Sequence, residues 1–187
     1  KVPDSTSVRP SKPQFTMGYP TLLRIARMAI LLIVQLAILN QLHLFGYATP
    51  LLIGYMIICF DTNTSRLTAL LWGFAIGIIF DIFSNTVGIG AASCTLLAFV
   101  QPYLLKLFMP RDVIDQFKPT IQTLSLQKYI FYTLSCMGVL HFCFYLLQAF
   151  TMAGLWLTIG AMVGGTLLAS LLVVCVEFII HTKKDDN

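Results

Sequence analysis

The sequence predicts an all-α membrane protein, a bundle of six transmembrane helices with both termini in the cytoplasm. The chain is 57% hydrophobic and only 11% charged, whereas roughly a quarter of the residues in a soluble domain are charged. Its apolar residues fall into six segments, separated by short gaps that leave almost no extramembrane domain. The segments cover about 22–40, 45–60, 67–83, 88–108, 129–150 and 153–180.

The distribution of basic residues predicts the orientation of these segments. The odd-numbered gaps, 41–44, 84–87 and 151–152, contain no Lys or Arg. Basic flanks are retained in the cytoplasm during insertion, so the even gaps and both tails are predicted to be cytoplasmic. The basic residues are Lys1, Arg9, Lys12, Arg24, Arg27, Arg66, Lys106, Arg111, Lys118, Lys128, Lys183 and Lys184.

The two ends of the chain are predicted to be cytoplasmic tails around a transmembrane domain at 21–182. Residues 1–20 are polar and proline-bearing, cannot bury apolar area and are predicted to be disordered. Segment 1 begins with Arg24 and Arg27, which are placed to snorkel to the inner surface. It is too long for a signal-peptide core and lacks a cleavage site, so we expect it to remain as an anchor. Residues 183–187 form the second tail.

Segment 2 is the shortest candidate span. Thr49-Pro50 is typical of a helix start, but the 50–60 stretch gives only about 16 Å of helix against a hydrocarbon core of about 30 Å. The helix therefore continues into 61–64, or residues 44–48 supply embedded chain, or the segment is a re-entrant loop. The distribution of basic residues favours a crossing, because without one the later Lys and Arg residues would lie on the outer side of the membrane.

The remaining segments predict two helical pairs joined by a cytoplasmic loop. Segments 3 and 4 are separated by a short turn, and segments 5 and 6 form a hairpin around 149–154. The loop at 109–127 is the candidate contact for lipids or cytoplasmic partners. Tyr55, Tyr129 and Trp156 are among the aromatic residues expected at the membrane interfaces.

Asp81 is the most informative single residue, because an ionisable group inside an apolar helix usually faces a bundle interior or a cavity. Gly73 and Gly77 precede it at four-residue spacing, so the three residues lie along one groove of the helix. Asp81 is interpreted in three ways: a cap of the outer turn bonded to Ser84 or to the 85–88 backbone, a contact to a partner or ligand, or a proton or ion relay.

Other polar residues inside the segments have structural interpretations. His141 is expected to be buried, neutral and hydrogen-bonded, with an interhelical partner such as Gln35, Gln101 or Asp81. Gln35 and Gln148 are expected to form bonds across helices, each contributing about 0.6 kcal/mol.

At the inner end of segment 6, Glu177 is expected to pair with His181 at i,i+4. Small residues in segment 6 predict close helix packing. Gly160 and Gly164 form a GxxxG pair, and Ala161, Gly165 and Ala169 form a second ridge.

No catalytic, cofactor-binding or metal-binding set is visible. The sequence contains no HExxH, GxSxG or P-loop motif, and no nucleophile lies beside a base in a catalytic arrangement. The five cysteines lie in apolar segments without ligand spacing and are interpreted as apolar fillers. The net charge of +4 sits beside apolar segments, which favours anionic lipid over nucleic acid as its partner.

The stretch from segment 2 to segment 4 resembles the rod shape-determining protein MreD family of bacteria. The similarity rests on Gly73, Gly77 and Asp81, then Ser84, Gly88 and the pair Ala91-Ala92. The stretches 41–50 and 141–150 are also similar to family members, and the resemblance covers about residues 22–180.

This resemblance implies a non-enzymatic scaffold of the cell-elongation machinery in the bacterial inner membrane. It implies an MreC-like single-span partner, which carries a periplasmic domain, and a larger complex with MreB, RodA and a transpeptidase that places new peptidoglycan. The groove at Gly73, Gly77 and Asp81 is the expected partner-binding or packing surface, with Ser84 and Gly88 at its end.

A second similarity gives an alternative function. The family's bundle is similar in shape to the substrate-binding membrane subunits of vitamin importers. A transporter subunit of this type would need a polar cavity open to the outside. Asp81, Asn85, His141 and Gln148 are its candidate wall residues.

Overall fold

The computed structural model describes residues 51–62, 64–110, 117–149 and 155–185, together with Ile30 and Ile33. These residues form helices joined by turns and short irregular stretches. Four of the helices are long and apolar enough to cross a membrane, and they confirm segments 3 to 6 as helices. The elements are α1 (Gly54–Ile58), α2 (Arg66–Ser84), α3 (Ile89–Phe108), α4 (Ile121–Leu124), α5 (Leu126–Ala149) and α6 (Leu155–Asp185).

Local sequence signals set the ends of α2 and the start of α3. Ser65 caps α2, its side chain accepting a hydrogen bond from the backbone N–H of Thr68 at 3.2 Å. The helix ends at Asn85, which adopts the left-handed conformation with φ of 54°. Gly88 precedes α3 with φ of 76°, a conformation that costs glycine little. The chain therefore reverses direction within a few residues.

The long helices pack in a row in the order α2, α3, α5, α6, with α3 and α5 in the centre. Consecutive helices of the row are antiparallel. Gln101 near the end of α3, for example, bonds to Tyr132 near the start of α5. The short helix α1 packs against α3, α5 and α2. Most large side chains on the outer surfaces of the row are exposed and apolar, as expected where lipid rather than water surrounds the helices.

The described part of segment 2 differs from the predicted span. Only Gly54–Ile58 is helical, and all of residues 51–58 are buried in the protein. Within the predicted span at 45–60 the described helix is therefore five residues long, and the membrane crossing of this segment stays a prediction. Residues 41–50 lie outside the described residues, as does segment 1 apart from Ile30 and Ile33, which are both helical.

Although it is not a long helix, segment 2 follows a definite path through the bundle. Leu51 contacts His141 in the second half of α5, Ile58 contacts Tyr132 in its first turns, and Thr62 bonds to Phe117 in the loop before α4. The segment thus runs antiparallel to α5 and ends beside the loop.

Four of the described basic residues gather at one end of the bundle. Arg66 begins α2, Lys106 is in the last turn of α3, and Lys118 and Lys128 flank α4. At the opposite end, the described turn at 85–88, which joins α2 to α3, contains no Lys or Arg. The two ends of the α2–α3 pair therefore differ in charge as well as in structure.

Candidate functional site

Asp81 fastens the end of α2 to the start of α3. Its side chain is 8% exposed. One carboxylate oxygen, Oδ1, accepts hydrogen bonds from Thr86 Oγ1 at 2.7 Å and from the Gly90 N–H at 2.8 Å. The other, Oδ2, accepts from the Ala91 N–H at 2.8 Å. The first N–H groups of a helix lack intrahelical partners and carry the positive end of its dipole. Asp81 therefore caps α3 from the preceding helix.

The interpretation of Asp81 as a cap matches this geometry, but the predicted donors were wrong. The Ser84 hydroxyl is buried without a hydrogen-bond partner among the described residues. The donors are instead Thr86 and the first-turn backbone of α3. In addition, the Thr86 N–H bonds to the Asp81 carbonyl oxygen at 3.2 Å. Asp81 thus closes the turn through both its side chain and its backbone.

The groove at Gly73 and Gly77 is filled by α3 of the same chain. A Cβ atom on Gly77 would collide with the Ala91 Cα, and one on Gly73 would lie 2.8 Å from the Ala98 Cβ. The two backbones can approach this closely only because no side chain separates them. Of the two roles predicted for this groove, partner binding and packing, the described contacts of Gly73 and Gly77 match packing within the chain.

Gly90 is a third close-approach position between α2 and α3, beside Gly73 and Gly77. A Cβ on Gly90 would lie 2.6 Å from Asp81 Oδ1 and 2.8 Å from Phe80 Cδ1. Any larger residue there would displace the carboxylate that caps α3. The Gly88-x-Gly90 spacing directly before an apolar helix is the sequence signal for it. We call α2, the 85–88 turn and α3 together the capped hairpin.

A surface depression of about 320 Å³ lies beside the turn of the capped hairpin. Val87, at the tip of the turn, is 97% exposed. Asp81 contributes to the floor of the depression but directs its oxygens into the hairpin. We call this feature the turn depression, and its lining residues are Ile78, Asp81, Ile82, Asn85, Thr86, Val87 and Gly88.

A second polar site lies at the centre of the bundle, where side chains form hydrogen bonds to the described part of segment 2. The Tyr55 hydroxyl donates a hydrogen bond to Glu177 Oε2 at 2.5 Å, which joins α1 to α6. Both side chains are buried, at 2% and 7% exposure. Tyr55 was expected at an interface and Glu177 was expected to pair with His181. The structure places both of them inside the protein, and it also buries Tyr129 completely. The side chain of His181 lies outside the described part of the structure, so its pairing with Glu177 stays a prediction.

His141 is completely buried on α5, and the described segment 2 begins beside it. Its Nε2 accepts a hydrogen bond from the Leu51 N–H at 3.4 Å, and its Nδ1 lies 2.9 Å from the Met137 carbonyl oxygen. Because the backbone N–H can only donate, Nε2 is the acceptor and the ring proton is on Nδ1. The expected buried, neutral histidine is therefore present. Its described bond to another segment goes to the Leu51 backbone, and Gln35 lies outside the described residues.

Gln101 and Tyr132 hold the other end of α1. The Tyr132 hydroxyl donates to the Ile58 carbonyl oxygen at 3.1 Å. The Gln101 side-chain amide donates to the Phe60 carbonyl oxygen at 3.3 Å and to the Tyr132 hydroxyl at 2.9 Å. Non-helical backbone at membrane depth is tolerated only where protein or water satisfies its polar groups. Gln101 and Tyr132 form the hydrogen bonds that these backbone carbonyl groups need. A tyrosine and a glutamine inside apolar segments are the sequence signals from which such bonds could have been predicted.

The other predicted positions are spread over the bundle. Ala161, Gly165 and Ala169 are buried and form the expected packing ridge, which continues to Val173 and Glu177 at four-residue steps. The GxxxG pair faces outward: Gly160 is exposed with no described atom near its missing side chain, and Gly164 is half-buried.

Of the candidate wall residues of a transporter, Asp81 and Asn85 line the turn depression. Gln148 is half-buried, and neither it nor His141 lines the turn depression with Asp81 and Asn85. Gln35 lies outside the described residues. Within the described ranges, no cluster of three or more His, Cys, Asp or Glu side chains could hold a metal ion.

Comparisons of this chain with protein-family models, with curated proteins and with solved structures gave no match. Its function is therefore inferred from the sequence resemblance together with the geometry of the capped hairpin.

Proposed function

We propose that this chain is a non-enzymatic membrane scaffold of the MreD type, which positions cell-wall synthesis by binding an MreC-like single-span protein. One observation carries the proposal. Gly73, Gly77, Asp81, Gly88 and Ala91, on which the resemblance rests, all build the capped hairpin. A resemblance that rests on residues of one structural unit is more specific than a resemblance that rests on glycines scattered through the chain.

The turn depression is the proposed contact for the partner. Its exposed Val87 offers apolar area, and Asn85 and Thr86 offer polar groups beside it. The cap on α3 fixes the shape of the turn, so a partner would meet a preorganised surface, at a smaller entropic cost on binding. A juxtamembrane segment of a single-span protein is the proposed occupant, because the depression lies at an end of the bundle and not along its length.

The proposed topology has six crossings, with both termini in the cytoplasm of a bacterium. The clustering of Arg66, Lys106, Lys118 and Lys128 at one end supports a cytoplasmic location for that end. The path of segment 2 from His141 toward Phe117 supports a crossing that ends there. The turn depression would then face the periplasm, where the folded domain of the partner lies.

The proposal is tested by co-purification from native membranes, with the MreC-like partner identified by mass spectrometry. Val87→Ser removes the exposed apolar contact and leaves the hairpin intact. Burying one valine contributes about 1.5–3 kcal/mol, so we expect at least about a tenfold loss of affinity. Leu107→Ser is the matched control, since Leu107 is 76% exposed at the opposite end.

Two results would overturn the proposal. The first is that the wild-type chain recovers no MreC-like protein. The second is that Val87→Ser recovers as much of it as Leu107→Ser does. Asp81→Ala and Gly77→Leu are poorer tests, because both residues hold α2 and α3 together.

A further inference from the structure

A small cavity with a largely apolar wall and three charged residues lies between α2, α3 and residues 60–62 at the basic end of the bundle. Its volume is about 120 Å³. Two cations, Arg66 and Lys106, line it together with one carboxylate, Asp61, so cations outnumber anions. The side chains of Arg66 and Lys106 are exposed and can reach a ligand from the membrane surface.

Arg66 is held in place by an aromatic neighbour. Its guanidinium donates a hydrogen bond to the Tyr103 hydroxyl at 3.3 Å and lies 5.5 Å from the centre of the Tyr103 ring. This combination of a hydrogen bond and a cation–π contact restricts the side chain. The guanidinium has further N–H groups, which can form the forked hydrogen bonds that suit a phosphate.

An apolar groove begins where the cavity ends. It is an open depression of about 580 Å³ on the outer face of α2 and α3. Leu70 and Phe99 line both the cavity and the groove, so the two are contiguous. Beyond them the groove passes Phe74, Thr95 and Ala92 toward the turn of the capped hairpin.

We propose that the cavity and the groove together bind one anionic glycerophospholipid. Its phosphodiester lies between Arg66 and Lys106, and an acyl chain enters the groove between Leu70 and Phe99. Basic pockets between transmembrane helices at the membrane surface recognise anionic headgroups. A free phosphate would use only the charged cavity. A partner helix would not fill a charged cavity of about 120 Å³. A charged cavity that continues into an apolar groove matches a lipid, in which a charged headgroup is joined to apolar acyl chains.

The test is a titration of the purified full-length chain in detergent, with bound lipid counted by native mass spectrometry. Phosphatidylglycerol is compared with phosphatidylcholine of the same acyl chains, and inorganic phosphate is added as a competitor. We expect one tightly bound phosphatidylglycerol, weaker phosphatidylcholine, and no displacement by phosphate at concentrations comparable with the lipid.

Variants distinguish lipid binding at this site from a general effect of positive charge at the surface. Lys106→Gln and Arg66→Gln should each weaken phosphatidylglycerol binding by about fivefold, the effect of one basic residue near a membrane surface. Lys128→Gln should leave binding unchanged, since this exposed lysine at the same end does not line the cavity. Thr95→Phe, which narrows the groove, should also weaken binding. Ala75→Phe, at an exposed position of α2 outside the groove, should not.

Any one of three outcomes would overturn the proposal. They are equal affinity for the two lipids, an effect of Lys128→Gln as large as that of Lys106→Gln, and displacement of the lipid by inorganic phosphate at equal concentration. Helix content measured by circular dichroism confirms that each variant is folded. The charged cavity, with Arg66 and Lys106, is at the opposite end of the hairpin from Val87, so the effects of Lys106→Gln and Arg66→Gln are independent of the partner proposal.

Discussion

At the scale of single residues, Asp81 shows how a carboxylate can be stabilised inside an apolar helix. Its two oxygens accept one hydroxyl and two backbone N–H groups, all from the following turn and helix. Hydrogen bonds to a charged group contribute about 1.5–3 kcal/mol when they form. The residue that most suggested chemistry therefore has a defined structural role.

Replacing Asp81 should destabilise the protein in proportion to the acceptors lost. Asp81→Ala removes all three hydrogen bonds and should lower the free energy of unfolding by about 2 kcal/mol, the upper range for loss of a helix cap. Asp81→Asn keeps one acceptor oxygen and should cost less, and Thr86→Ala, which removes a single donor, should cost least. Reversible unfolding in mixed micelles measures the order. An unfolding midpoint for Asp81→Ala equal to that of the wild type would contradict the cap.

At the scale of elements, α1 is stable only because of its surroundings. A helix of five residues has no stability alone. Tyr132 and Gln101 bond to the backbone at the C-terminal end of α1 and just after it. His141 bonds to Leu51 before the helix, and Glu177 bonds to Tyr55 within it. Each such bond is modest in energy, but together they satisfy the backbone that the broken helix leaves unpaired.

Substitution by alanine should change the stability of the protein very differently at glycines that lie in similar sequence motifs. Gly77→Ala places a methyl group against the Ala91 Cα, so α2 and α3 must separate, at a cost of about 1–3 kcal/mol. Gly160→Ala is the matched control, because no described atom lies within 4 Å of its Cβ position, and it should be neutral or slightly stabilising. Unfolding midpoints of the two variants measure the contrast. Equal effects would mean that the helices are not in the described contact.

At the scale of the whole molecule, the two ends of the bundle carry different proposed activities. The basic end contains the cavity with Arg66 and Lys106, and the opposite end contains the turn depression with Val87. The capped hairpin connects them through the length of α2 and α3. A rigid hairpin that contacts lipid at one surface and a partner at the other is the architecture expected of a scaffold.

The topology is tested by thiol labelling of intact spheroplasts expressing the chain without its partners. Val87→Cys should react with a membrane-impermeant reagent, and Lys128→Cys should react only after lysis. The parent chain, with its native cysteines, provides the background labelling. Labelling of Val87→Cys only after lysis would place the turn depression in the cytoplasm, reversing the orientation and removing the basis for the partner proposal.

Features that depend on composition and local order were predictable from the amino-acid sequence. Apolar segments of sufficient length must form helices in a bilayer, so α2, α3, α5 and α6 were predictable to within a few residues. The ridge of Ala161, Gly165 and Ala169 followed from helical spacing. His141 was predictable as a buried, hydrogen-bonded residue because a polar ring inside an apolar helix needs a partner.

Which other residues these side chains contact is determined by the packing of all the helices together. Gly73 and Gly160 begin similar motifs, yet the first packs against α3 and the second faces outward, because helix rotation depends on all the helices together. Segment 2 is apolar enough for a long helix, but its described part contains a helix of only five residues, which distant side chains such as Glu177 and Tyr132 contact through hydrogen bonds. Long-range hydrogen bonds join residues far apart in the chain. No local pattern encodes such pairings, so they become visible only when the helices are packed together.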